Sequence, residues 1–400
     1  EDLEATVFGL PSARSSRDIG LPSPSAGDSS NKLSKDTADN TSSRKQAFVN
    51  AVICFVGSGI LGLPFAFEHV GMVGGILGLI LITMVSLHCM FMMVDCKIFL
   101  EQTCGKNIKT YGDVGFYSFG RGGSFAVDFC IILTQTGFCI AYLIFISKTM
   151  MEITGITKRT WVILCTPVLI PISWFRSMRP LAPFSLLAEV SIGVALLAIF
   201  VYDLAEIAGN DKIHDSPGKV VQSKDDSVAM LAEEGIKAFD YRGVPYFFGV
   251  CCYCFEGIGM VLPVYNSMAQ PDRFKVIWGS ACVTVATLYV TFGALGYLAF
   301  GGSIDEIITS NLPHYGLTKA MKAALCTGLL FTYPIMCLPV FELLEDFVGL
   351  TSDEGLARQQ RNLLRVVFVL FTAFVACMVP FFGIFISLVG ATASAGLAFV

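Results

Sequence analysis

The 400 residues are 54% hydrophobic and only 15% charged, with 33 phenylalanines, whereas a soluble globular chain is about 25% charged. That balance, with a mean hydropathy of +0.67, excludes an ordinary soluble domain and predicts an all-α polytopic membrane protein embedded in a lipid bilayer. The formal charge of −5 comes with no basic stripe to grip phosphate, which excludes nucleic acid as a partner.

Residues 1–45 are rich in Ser, Asp, Pro, Gly and Lys and poor in aromatics, the composition of a disordered tail. The chain opens on Glu1 rather than methionine, with no secretory signal, which fits a sequence whose true start is missing. Ten apolar segments follow, near 47–66, 71–94, 123–147, 160–175, 183–205, 245–267, 275–299, 320–341, 363–379 and 381–400. Each is about 20 residues, enough to cross a bilayer as a helix. Residues 46–205 hold spans one to five, 206–244 form a hydrophilic loop, and 245–400 hold spans six to ten. Phe381 to Val400 is still apolar where the sequence stops, as expected of a chain cut within or just beyond its tenth span. Basic residues in the short connections, among them Arg44, Lys45, Lys97, Lys109, Arg121, Arg273 and Arg358, put the N-terminal tail in the cytosol and the 206–244 loop on the opposite side.

Two stretches about 200 residues apart break this pattern. Span one contains Gly57-Ser58-Gly59-Ile60-Leu61-Gly62-Leu63-Pro64, and span six contains Phe255-Glu256-Gly257-Ile258-Gly259-Met260-Val261-Leu262-Pro263. Glycine lets the backbone leave helical geometry cheaply, and Pro64 cannot donate to the turn before it. A patch of small residues for close helix packing is the plainer reading of either stretch alone. Matching breaks in spans one and six instead predict two inverted five-span halves with a substrate held between unwound helices. Exposed amides at the restarted helix suit a carboxylate, and Ser58 adds a hydroxyl at the same level. Gly57, Ser58, Gly59, Gly62, Phe255, Glu256, Gly257 and Gly259 are therefore the candidate binding residues.

Glu256 is the only acidic residue within 245–267. A carboxylate at that depth is costly and usually functional; it serves either as a proton-binding group or as a structural anchor for the break. Phe255 is either a gate over the ligand or a packing residue. Asn50, early in span one, and Glu189, in span five, are further candidates for proton coupling or gating, and Glu189 has Arg176 or Arg179 as an expected partner. Gln135, Thr136 and Tyr142 on span three, and Thr327, Thr332 and Tyr333 on span eight, are polar groups on central helices, with Thr327 taken as a binding residue. His88 in span two is expected to be packed and hydrogen-bonded. Fourteen cysteines would signal disulfides or zinc in a soluble chain, but most lie in apolar runs. Cys251, Cys252 and Cys254 have no second ligand pair at metal spacing, so no metal is expected. No Walker loop, dinucleotide fingerprint or nucleophile–base–acid set is present, so neither an enzyme nor an ATP-driven pump is expected, and no cofactor.

Phe48-Val49-Asn50 leading into the span-one glycines, then Phe67 and Gly71, resembles the opening span of the amino acid/auxin permease family. Arg176-Ser177 with Leu181-Ala182-Pro183-Phe184-Ser185, Phe255-Glu256-Gly257 with Leu262-Pro263 and Asn266-Ser267-Met268, and Tyr333-Pro334 continue the likeness over about residues 45–400. It is closest to the vacuolar amino acid transporters of plants and fungi and the proton-coupled transporters of animal lysosomes. The resemblance implies an eleven-span protein with the LeuT-like five-plus-five inverted repeat of the wider APC superfamily, broken in helices 1 and 6. It also implies symport of small neutral amino acids with protons at a vacuolar, lysosomal or plasma membrane. Animal proton-coupled members carry a functional histidine where this chain has Asn50, so that role does not transfer, and sodium coupling stays open. A second function class on the same scaffold is a nutrient sensor that recruits a regulatory protein through the 1–45 tail.

Overall fold

The computed structural model describes residues 44–105, 107–175, 182–207, 236–313, 315–350 and 355–399. The tail up to residue 43, most of the 206–244 loop, Arg176 and Arg179 lie outside the described residues. Within them every regular element is a helix. α1 (Arg44–Phe55) leads through a 3-10 turn (Ser58–Gly62) into α2 (Leu63–Val70), followed by α3 (Met72–Cys104), α4 (Tyr111–Thr154), α5 (Lys158–Ser173) and α6 (Ala182–Ile207). The second half runs α7 (Val244–Cys254), α8 (Ile258–Ser267), α9 (Phe274–Phe300), α10 (Gly316–Val348) and α11 (Gly355–Met378). It closes with α12 (Phe382–Val389), a π turn (Gly390–Ser394) and α13 (Ala395–Phe399).

Seven helical stretches are long and apolar enough to cross a bilayer, and eight if the bent pair α1–α2 counts as one span. Among the described residues, one of the ten expected segments is short for a crossing. α5 is only 16 residues and contains Pro167 and Pro171, whereas α6 runs 26 residues. Apolar side chains such as Leu77, Leu81, Leu197 and Phe374 are each more than 60% exposed. A contiguous apolar exterior of this kind is stable in hydrocarbon and a liability in water. His88 belongs to this exterior: it is exposed on α3, which corrects the expectation of a packed histidine. The chain is a multi-pass membrane protein.

α4 shows how local chemistry sets a span. As one rod its 44 residues would run about 66 Å, roughly twice the hydrocarbon thickness. Gly120 instead adopts φ 70°, ψ −154°, a conformation L side chains resist, and turns the corner between a short leading helix and the crossing segment. Thr110 starts the leading helix with a reciprocal cap: its side chain accepts from the Asp113 amide, and Asp113 accepts from the Thr110 amide, which meets two otherwise unmet donors.

The helices form two packing groups. In one, α10 packs along α4, and α11 packs on α4 and α5; in the other, α9 packs on α1, α2 and α3. α6 touches both through α10 and α9, and α12 links α7 to α4. The first group is tied by a buried ion cluster. Arg365 on α11 places Nε and Nη2 each 2.8 Å from Glu345 Oε1 on α10, and Nη1 donates to the Ser173 and Phe175 carbonyls at 2.9 and 3.0 Å. Those carbonyls lie at the last residue of α5 and just past it, where a cation is favoured. At the far end of α10, Lys322 lies 3.2 Å from Glu152 of α4, and Glu152 also accepts from Ser310 at 2.6 Å.

Candidate functional site

α1 stops at Phe55, and Gly57 is fully extended (φ −139°, ψ −165°) before the 3-10 turn begins. Pro64 then sits in the first turn of α2, where a missing N–H costs nothing. The two halves of this span meet at 45°. In the sixth span α7 stops at Cys254, Gly257 takes φ −146°, ψ 0°, and α8 starts at Ile258. This second interruption is the shallower one, since Tyr241–Ser267 still reads as one crossing.

A cavity of about 140 Å³ lies where the two interruptions meet. Gly57, Ser58 and Gly59 line it from the first, and Tyr253, Cys254 and Glu256 from the second. α4 contributes Gln135, Phe138 and Tyr142, and α10 contributes Leu329, Thr332, Met336 and Pro339. Its walls thus come from both packing groups. Glu256 is the only charged side chain in the lining among the described residues.

Four buried polar atoms in this lining have no protein partner: Ser58 Oγ, Gln135 Oε1, Tyr253 OH and Glu256 Oε2. Ser58 and Tyr253 are neighbours, yet neither oxygen closes a hydrogen bond of sound geometry. Buried polar groups are almost always matched in proteins, and each unmatched one costs about 1–3 kcal/mol. Four together around one cavity make a surface suited to a small polar solute with both donors and acceptors.

The remaining sequence-based candidates spread out. Gly62 is buried a turn further on, against Ile386 of α12, where an added Cβ would lie 3.0 Å from that side chain. Phe255 is buried behind the interruption, its ring 6.0 Å from Phe55 and 5.3 Å from Tyr289. Its ring packs there, outside the cavity lining. Gly257 abuts the Phe55 ring, with an added Cβ 2.5 Å from it, and Gly259 is exposed with open space around it. Asn50 is buried in α1 outside the lining. Glu189 lies on α6, with its side chain outside what is described. Thr327 is exposed on α10, outside the cavity lining, donating to the Ala323 carbonyl at 2.9 Å, and Thr332 lines the cavity. The two threonines are roughly 140° apart around the helix axis, so only one can face inward.

Two residues escaped the sequence reading. Tyr253 lies in the last turn of α7, three residues before Glu256 and next to the motif already marked, and that adjacency could have found it. Tyr289 on α9 carries no such signal. Its hydroxyl donates to the Phe55 carbonyl and lies 3.2 Å from the Cys254 carbonyl. Among the described residues no cluster of His, Cys, Asp and Glu could hold a metal ion.

Residues 40–400 match the family described as transmembrane amino acid transporter protein. Three Arabidopsis thaliana proteins are similar over most of their length. "Amino acid transporter ANT1" is 31% identical, covering 92% of this chain and 85% of that protein. "Amino acid transporter AVT3B" is 33% identical over 90% and 83%, and "Amino acid transporter AVT3C" 32% identical over 90% and 81%. These relatives are transporters, not enzymes. The chain belongs to the transmembrane amino acid transporter (amino acid/auxin permease) family.

Proposed function

We propose that this amino acid transporter carries small neutral amino acids in symport with protons, binding them in the cavity between the two interrupted spans. The carrying observation is the set of four unpartnered polar atoms on a cavity with one carboxylate. A zwitterion offers an ammonium to Glu256 and a carboxylate to the backbone amides of Gly57 and Gly59 and the Ser58 hydroxyl. Phe138, Ile192, Leu329 and Met336 leave an apolar wall for the side chain. A cationic or anionic substrate side chain would find no opposite charge there beyond Glu256, which supports the neutral class. Once protonated, the Glu256 carboxyl keeps an oxygen that accepts from the substrate ammonium, so proton and substrate would be held together at one group.

The five-plus-five inverted repeat fits this reading, because the interruptions sit in the first span of each half and the two packing groups can rock about the cavity between them. The vacuolar or lysosomal membrane is the preferred setting, with release to the cytosol. The test is uptake of radiolabelled amino acids into proteoliposomes with and without an inward proton gradient. Accumulation of small neutral amino acids that collapses with the gradient is expected. Uptake indifferent to protons would redirect coupling to sodium or exchange, and binding without uptake would favour a sensor.

A further inference from the structure

Tyr289 stands outside the cavity lining and is fully buried on α9. Its hydroxyl donates to the carbonyl of Phe55 and lies 3.2 Å from that of Cys254, the last residues of α1 and α7 respectively. A helix leaves its final carbonyls without partners, and within a bilayer such a group costs several kcal/mol unless something donates to it. Here one side chain meets a helix-ending carbonyl in each half of the chain. A hydroxyl has a single hydrogen, so the two carbonyls share it.

The ring holding that hydroxyl has little freedom. Phe255 packs edge-on against it at 5.3 Å, and Phe55 meets Phe255 at 6.0 Å. Phe55 in turn lies edge-on to Trp278 at 5.7 Å, and the Trp278 indole donates to the Met90 sulfur at 3.2 Å. Phe55 and Cys254, whose carbonyls are shared, themselves line the cavity, with Val56 and Gly57 following on one side and Glu256 on the other.

We propose that Tyr289 is a positioning residue for substrate: its shared hydroxyl proton holds the two interruptions at one separation, so that the groups of both halves meet a single amino acid. This rests on the cavity being the amino acid site. Loss of the hydroxyl leaves two facing carbonyls that repel, which moves the Ser58 and Glu256 sides apart without touching either side chain. Substrate affinity then falls while the route through the protein stays open. A purely structural tyrosine would lower stability and leave affinity alone.

The experiment is amino acid uptake into proteoliposomes by the full chain and by Tyr289→Phe, Tyr297→Phe and Glu256→Gln. Tyr297 is the control: it is buried on the same helix, and its hydroxyl accepts from the Lys237 amide at 3.0 Å, away from the cavity. Tyr289→Phe is expected to raise the half-saturation concentration about tenfold, the worth of one hydrogen bond of about 1.4 kcal/mol, with a smaller change in maximal rate. Tyr297→Phe should keep the wild-type half-saturation. An unchanged half-saturation in Tyr289→Phe overturns the proposal, whatever its melting temperature does. Normal transport by Glu256→Gln would instead overturn the cavity as the amino acid site, and the basis of the proposal with it. If Tyr289→Phe does not yield folded protein, 3-fluorotyrosine at position 289 decides. Its stronger donor on nearly the same shape should shift the half-saturation downward, and no shift overturns the proposal.

Discussion

The ion cluster joining α5, α10 and α11 and the cavity between the interrupted spans treat buried polar groups in opposite ways. In the cluster, Arg365 is matched by Glu345 and by two carbonyls, all at 2.8–3.0 Å. In the cavity, Ser58, Gln135, Tyr253 and Glu256 each bury a polar atom that closes no well-formed hydrogen bond. The first arrangement resists change, because removing either partner strands a charge in low dielectric. The second lowers stability and is retained where recognition depends on it. On the proposed reading both serve transport: a rigid group of helices to move against, and a site whose polar atoms are met by the cargo.

Breaking the cluster should have the largest effect. Arg365→Ala leaves Glu345 buried without its main partner and should cost about 3–5 kcal/mol of stability, read as a large drop in melting temperature in detergent. A melting temperature equal to wild type would show that the cluster holds nothing. Glu256→Gln should do the reverse. Since Oε2 has no protein partner, thermal stability should stay within about 1 kcal/mol, while proton-driven accumulation is lost. Retained pH-driven accumulation would remove Glu256 from the coupling role.

The glycines sharpen the contrast inside the cavity. A Cβ on Gly59 would lie 2.8 Å from the Tyr253 ring and 2.9 Å from the Cys254 sulfur, whereas one on Gly57 meets nothing within 4 Å. Gly59→Ala should therefore push the two interruptions apart at about 1–3 kcal/mol and depress uptake strongly, while Gly57→Ala is the milder change. Equal uptake by the two alanine variants would contradict this packing. A bulky valine at Gly57 would act by filling space beside the site rather than by straining a backbone that is already extended. The smallest effect is expected of Ser58→Ala, which removes one hydroxyl and should raise half-saturation about fivefold, or about 1 kcal/mol, with unchanged folding. A variant matching wild type in substrate affinity would take Ser58 out of the site.

Much of this was legible in the chain because it is local. Glycine and proline at 57–64 and 255–263 dictate where a helix can stop and restart whatever surrounds it, and apolar runs of bilayer length dictate a helical membrane protein. Those same motifs carried the family resemblance that the match over residues 40–400 shows. Gln135, Tyr142 and Thr332, marked only as polar groups on central helices, all reached the cavity lining.

Rotation about each helix axis was decided only in the tertiary structure. A soluble helix declares its inner face by its apolar stripe, but a helix apolar on all sides has no stripe to read. So α10 turns Thr332 inward and Thr327 outward, α3 leaves His88 exposed, and the Phe255 ring turns behind the interruption. The meeting of Tyr253 with Ser58, and of Tyr289 with two carbonyls far apart in sequence, likewise depends on packing across the two halves. The sequence by itself determined that the chain is a helical membrane protein and where two of its apolar segments break; packing alone decided which atoms those breaks present to one another.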